Sequence, residues 1–184
     1  IVGIQAKVTS RFVLVKIFLE QIPSLIGLRL CKISQSRGVG KRLLVTKPPN
    51  LEALNSYIKA RRNVGFQWHT NDCFMFTNGA YRAMYGVGYA DDWIGKYTNN
   101  GLYLKREQLR AVFKVQNLEE ALDARLQRIN FVPPRGALVT TKATRRGVLG
   151  AALGISIGSS AVFLSEKGLI SLPVEQITNS WVLV

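Results

Sequence analysis

The chain has 184 residues, 47% of them apolar and 20% charged, with a formal net charge of +14. That is enough for one domain with a proper core and too little for two of ordinary size, and the composition is neither disordered nor membrane-like as a whole. Cys31 and Cys73 lie far apart and form neither a CxxC pair nor, with the single histidine His69, a metal cluster, so reduced thiols and no bound metal are expected.

Residues 1 to 50 carry nine of the 25 Lys and Arg but only one acid, Glu20. Such an excess attracts nucleic acid or anionic lipid. The segment has no aromatic stacking ladder and no nucleic-acid motif, so a solvated basic tail is the plainer reading. Its most apolar stretch, Phe12 to Leu30, is interrupted by Lys16, Glu20, Pro23 and Arg29, which leaves neither a membrane span nor a signal peptide to expect. Ile1 to Lys47 also lacks a steady period and any methionine. It reads as a basic extension, either poorly ordered or lying upstream of a non-methionine start near Leu43 to Val45.

Pro48-Pro49-Asn50 marks a boundary, and Leu51, Leu54 and Ile58 recur at helical spacing up to Arg62. Gly65 to Asn71 is a loop bearing Phe66 and Trp68. A helix is predicted from Cys73 to Tyr85, capped by Asn71 or Asp72 and stopped by Gly86 and Gly88, with Cys73, Phe76, Thr77, Ala80 and Met84 on one face. Tyr89 to Gly101 is a second loop that covers the core. Asn117-x-x-Glu120 is a capping pattern, and Leu118, Ala121, Leu122, Arg125, Leu126 and Ile129 extend the predicted helix to residue 129. After Pro133-Pro134 come β-type runs at 137–141, 152–157, 161–165 and 169–172, and Trp181-Val-Leu-Val reads as a closing strand. Helices first and strands afterwards predict an α+β fold rather than a doubly wound parallel sheet.

Cys73 is the candidate nucleophile, because the positive end of a helix stabilises a thiolate. The competing reading is a small buried side chain where helix meets sheet. His69, four residues earlier, is the candidate base, although a thiol hydrolase generally takes its base from a distant strand. Asp72 reads as a helix cap, and its charge would raise a neighbouring thiol's pKa. Asp91 and Asp92 lack further ligands and read as loop solvation rather than a metal pair. Gly147-Val-Leu-Gly150 and Gly154-x-x-x-Gly158 have no phosphate-loop context, so no nucleotide or other cofactor is expected. Lys142, Arg145 and Arg146 form a basic turn, read as a solvated hairpin tip.

The order Phe66-x-Trp68, Asn71-Asp72-Cys73, Gly88-x-Ala90-Asp91, Gly95-Lys96-Tyr97, Leu118-Glu119, Pro134-Arg135-Gly136, Leu153-Gly154, Gly168-Leu169 and Trp181 resembles a phage and prophage domain family of unknown function. That family is similar in pattern to the NlpC-type papain-like cysteine peptidases, and the resemblance covers about residues 51 to 184. It implies a papain-like α+β domain, with N-terminal helices packed on a small antiparallel sheet or half-barrel. Trp68, Asn71, Asp72 and Trp181 are then structural residues. In NlpC-type peptidases a cysteine after Asp opens a helix, and a histidine in a His-x-Gly-x-x-x-Gly setting at the start of a later strand is the base. Cys73 matches the first; the second falls at Ala152, and alanine cannot move a proton. The usual Arg-Gly-Asp reads Arg135-Gly136-Ala137, and His69 stands where the pattern more often has glycine.

The resemblance therefore implies a tail-associated structural or assembly protein of phage or prophage, found in the virion or in the host cytoplasm during assembly, with other phage structural proteins as partners. A cell-wall peptidase or amidase using Cys73 on peptidoglycan is one alternative. A basic virion protein contacting nucleic acid through residues 1–47 is the other.

Overall fold

The computed structural model describes residues 47–99, 102–142 and 151–184. The readings made for residues 1–46, including nucleic-acid contact and Cys31, and those for Arg145, Arg146 and residues 147–150, lie outside the described residues.

Asn50 accepts the Ala53 N–H at 2.9 Å and starts α1 (Leu51–Arg61). Only Leu54 of α1 is fully buried, so its charged face stays outside and it docks through a few contacts. Tyr57 donates its hydroxyl to the Phe76 carbonyl at 2.9 Å and stacks on the Phe76 ring. Phe76 belongs to α2 (Cys73–Tyr85), which ends at Gly86 in the left-handed conformation, φ +81°. Phe76, Thr77, Ala80 and Met84 are buried along α2, and its small residues let the helix lie close on the sheet. Tyr81 fixes the height, its hydroxyl accepting the Leu138 N–H at 3.2 Å.

Beyond α2, a single 3₁₀ turn (Asp91–Trp93) precedes two short paired strands, β1 (Thr98–Asn99) and β2 (Leu102–Tyr103). Helices α3 (Arg106–Phe113) and α4 (Leu118–Asp123) follow. The main sheet holds β3 (Gln127–Ile129), β4 (Leu138–Thr141), β5 (Ala152–Ser156), β6 (Ser160–Ser165), β7 (Gly168–Pro173) and β8 (Asn179–Val182). Its order is β3-β8-β4-β5-β6-β7, and every pair is antiparallel. The domain is thus an α+β mixture of helices and an antiparallel sheet.

Strand alternation divides the sheet into two apolar faces. Leu138, Leu153, Ile155 and Val162 join the core under α2, whereas Val139, Ala161 and Phe163 form a smaller cluster with Ala152, Leu172 and Ile177 on the other face. Gly154 pairs with Phe163 across β5 and β6, and a Cβ there would collide with the Phe163 ring, so the aromatic lies over bare backbone.

The helix predicted from Asn117 to Ile129 stops at Asp123. Asn117 does cap it, accepting the Glu120 N–H at 2.8 Å. Gln127–Ile129 then pairs with Val182, Trp181 and Ser180 of β8, because long-range strand pairing overrides local helical spacing. Arg125 is drawn away from a helical surface by Asp92, which takes both its terminal nitrogens at 2.6 and 2.7 Å, while the guanidinium lies 4.8 Å over Trp93. The expected closing strand is internal, held between β3 and β4.

Trp181 is fully buried, donates its indole N–H to Asp123 at 2.7 Å and carries Arg128 at 5.1 Å over its ring. Trp181→Ala is expected to lower unfolding free energy by about 3–5 kcal/mol, measured by urea unfolding. Trp181→Phe keeps most of the buried ring and should lose markedly less.

Candidate functional site

The site is assembled by a pinched loop. Gln67 and Asn71 exchange backbone hydrogen bonds at 2.9 and 3.0 Å, so residues 68–70 form a projecting tip, and Phe66 ties the loop to β6 through the Ser165 carbonyl. Asn71 is buried. Its amide donates to the Gly65 carbonyl at 2.8 Å and its oxygen accepts from Arg61 Nη1 at 2.9 Å, which fastens the loop to α1.

Asp72 is 2% exposed and uses both carboxylate oxygens. Oδ1 accepts the Met75 N–H at 2.8 Å and caps α2; Oδ2 accepts the hydroxyls of Tyr97 at 2.8 Å and Tyr103 at 2.7 Å. Burial first, and Asp72 second, push both phenols upward in pKa, so they remain donors across the ordinary pH range. One carboxylate thereby joins the start of α2 to the β1–β2 strands and the loop before them.

Cys73 follows at the first helical position, half-buried, its remaining exposure directed into a cavity it lines. The helix terminus would lower its pKa, yet the net direction is opposite. Burial pushes the thiol up from its ordinary 9.0 to about 11, Asp72 adds to this, and a hydrogen bond from the Leu153 backbone opposes it only in part. The thiol form prevails at neutral pH.

The cavity holds about 370 Å³. It is lined by Phe66 and Trp68 of the pinched loop, Phe74 of α2, and Trp93, Tyr97 and Tyr103 of the following segment. Leu109 and Phe113 of α3, Leu118 and Ala121 of α4, Ala151 just before β5 and Leu153 within it complete the lining. Trp68 is 58% exposed and meets Phe66 and Tyr103 edge-on, each at 4.6 Å between ring centres.

His69 is not in the cavity wall. Its ring stacks on Tyr103 at 5.1 Å, its Nδ1 is buried without a hydrogen-bond partner among the described residues, and its backbone is left-handed, φ +69°. A left-handed residue is what a glycine supplies at low cost. Ala152 also stands apart, its side chain packing with Val139, Ala161 and Phe163 on the far face of the sheet. Ala151, just before β5, and Leu153 within it are the neighbouring positions that meet the cavity. Trp181 belongs to the core and does not line the site.

Asp91 and Asp92 keep part of their carboxylates in solvent and are also tied into the fold. For Asp91, burial would raise the pKa, but hydrogen bonds from Asn78 at 2.7 Å, Gly88 and Arg82 outweigh it and hold the carboxyl below its ordinary value. For Asp92 the Arg125 guanidinium does the same. Among the described residues no cluster of three His, Cys, Asp or Glu could hold a metal ion, and no helix is long and apolar enough to cross a membrane.

Tyr103, Arg106, Arg110 and Phe113 enter the site without a sequence reading that pointed to them. The available signals were the one-turn spacing of Arg106 with Arg110 and of Leu109 with Phe113. Another was Gln108, whose side chain accepts the Lys105 N–H at 2.8 Å and closes the start of α3.

An α+β domain with an aromatic cavity at a helix-opening Asp-Cys pair is the class that this fold and site define. The chain belongs to the family described as a domain of unknown function, DUF6950, whose model matches residues 47–183. No curated protein matches the sequence.

Asp72→Ala removes a cap and strands two tyrosine hydroxyls, and is expected to cost roughly 2–4 kcal/mol by chemical denaturation. His69→Gly and His69→Ala both lose the stacked ring. The glycine variant should nevertheless be the more stable of the two by about 1 kcal/mol, in thermal or urea unfolding, because only it relaxes the left-handed backbone.

Proposed function

We propose that this domain is a papain-like, NlpC-related fold without hydrolase activity, serving as a tail-associated structural or assembly protein of a phage or prophage. The observation that carries the non-catalytic part is the state of Cys73. Its thiol is held neutral by burial and by Asp72, and no imidazole stands in the cavity wall. A nucleophile needs a base within hydrogen-bond reach or a lowered pKa; burial raises this thiol's pKa, and His69 is not among the residues that line the cavity with it. The phage assignment rests on the ordered resemblance of the motifs from Phe66 to Trp181 and is an analogy of pattern. In this reading the papain-like pocket persists because Asp72 and the rings around it stabilise the fold. Assembly partners would be other virion proteins.

Iodoacetamide alkylation at pH 7.5 tests the chemical half. Cys73 should react at least tenfold more slowly than free cysteine, with a rate that climbs about tenfold per pH unit up to pH 10, because the thiolate is the reactive form. Fast alkylation at neutral pH, together with peptidoglycan cleavage lost in Cys73→Ala, would establish the peptidase reading instead. Mass spectrometry of purified particles tests the other half: presence in tails supports the assignment, and absence from every particle fraction removes it.

A further inference from the structure

The cavity beside Cys73 is apolar in its walls and one-signed at its rim. Asp72, the acidic side chain among its lining residues, is buried, and both its oxygens are taken up by Met75, Tyr97 and Tyr103. Arg106 and Arg110, one turn apart on α3 and exposed, also line it. Among the described residues neither enters an ion pair. Arg110 donates Nε to the Gln116 carbonyl at 2.8 Å, which steadies the guanidinium and leaves its two terminal nitrogens for another acceptor. Two unpaired guanidiniums at the mouth of an apolar space complement a carboxylate attached to an apolar body.

Size and shape narrow the occupant. About 370 Å³ lies within the range of small-ligand sites, roughly 300–1,000 Å³. Trp93 meets Phe113 at 57° and Trp68 meets Tyr103 at 68°. Although Phe74 lies nearly parallel to Trp93 at 28°, their 5.9 Å separation leaves no gap for a flat ring between them, so the lining is corrugated rather than a parallel slot. A flexible chain conforms to such walls better than a flat ring system does. We propose that the cavity binds a free single-chain aliphatic carboxylate, its tail among Phe66, Trp93, Phe113 and Leu153 and its head at Arg106 and Arg110. This binding requires no reaction at Cys73 and stands apart from the tail-assembly reading.

Dodecanoate, titrated below its micellar concentration against the full chain, is the probe. Tryptophan emission reports occupancy because Trp68 and Trp93 line the cavity, and calorimetry gives stoichiometry. One saturable site is expected, weakened roughly tenfold or more in the double variant Arg106→Gln, Arg110→Gln, since a charge-assisted contact is lost. Dodecanol should bind the wild type more weakly than dodecanoate and bind the double variant unchanged. Ala151→Phe, which narrows the space, should reduce binding of both probes. Should that variant fail to fold, the arginine variants, altered only on an exposed helix face, decide the matter. The proposal is overturned by a lack of saturable dodecanoate binding, by equal affinity in the double variant, or by dodecanol binding as tightly as dodecanoate.

Discussion

The Asp72 carboxylate holds three segments in register, the start of α2 through the Met75 N–H and the segments carrying Tyr97 and Tyr103 through their hydroxyls. A buried carboxylate is costly unless its lone pairs are satisfied, and here three donors satisfy it. The aromatic wall follows from that arrangement. With Tyr97 and Tyr103 tethered, Phe74 packs edge-on to Tyr97 at 5.2 Å, Trp68 closes on Tyr103, and Trp93 meets Phe113. The cavity is the space these rings enclose.

Burial, with the same carboxylate adding to it, sets the character of the neighbouring thiol. A helix N-terminus offers a thiolate a stabilisation of about 1 kcal/mol when partly exposed, which is less than close packing and an adjacent negative charge withdraw. Cys73 is therefore governed by its surroundings more than by its place in the helix. α2 and its cap thus serve as architecture.

Much of the fold was legible in local chemistry. Asn50, Asp72 and Asn117 each present a side-chain oxygen at a helix start, and Gly86 supplies the left-handed stop, so α1, α2 and the beginning of α4 could be placed from residue type alone. The runs after Pro134 became strands with ends shifted by a residue or so. What failed depended on distant partners. Leu126 and Ile129 fit a helix by spacing, but β8 lies more than 50 residues away, and only pairing with it makes Gln127–Ile129 a strand. Helix α3 is hard to place from sequence because it is short and Leu109 is its one buried residue. At the site, Asp72 and Cys73 could be singled out, whereas Tyr103, Arg106 and Arg110 acquire their meaning only when the chain folds back over the start of α2.

The alternation along β5 carries a further consequence. Position 152, where the peptidase pattern has its histidine, faces away from the thiol, while position 151 opens on the cavity. A histidine placed at 152 would thus not meet Cys73. Reaching the cavity would take an imidazole at 151, or a one-residue slip of β5 that would turn Leu153 and Ile155 out of the core and set Gly154 out of line with the ring of Phe163. Packing on two faces of one strand thus limits what a single substitution at 152 could install.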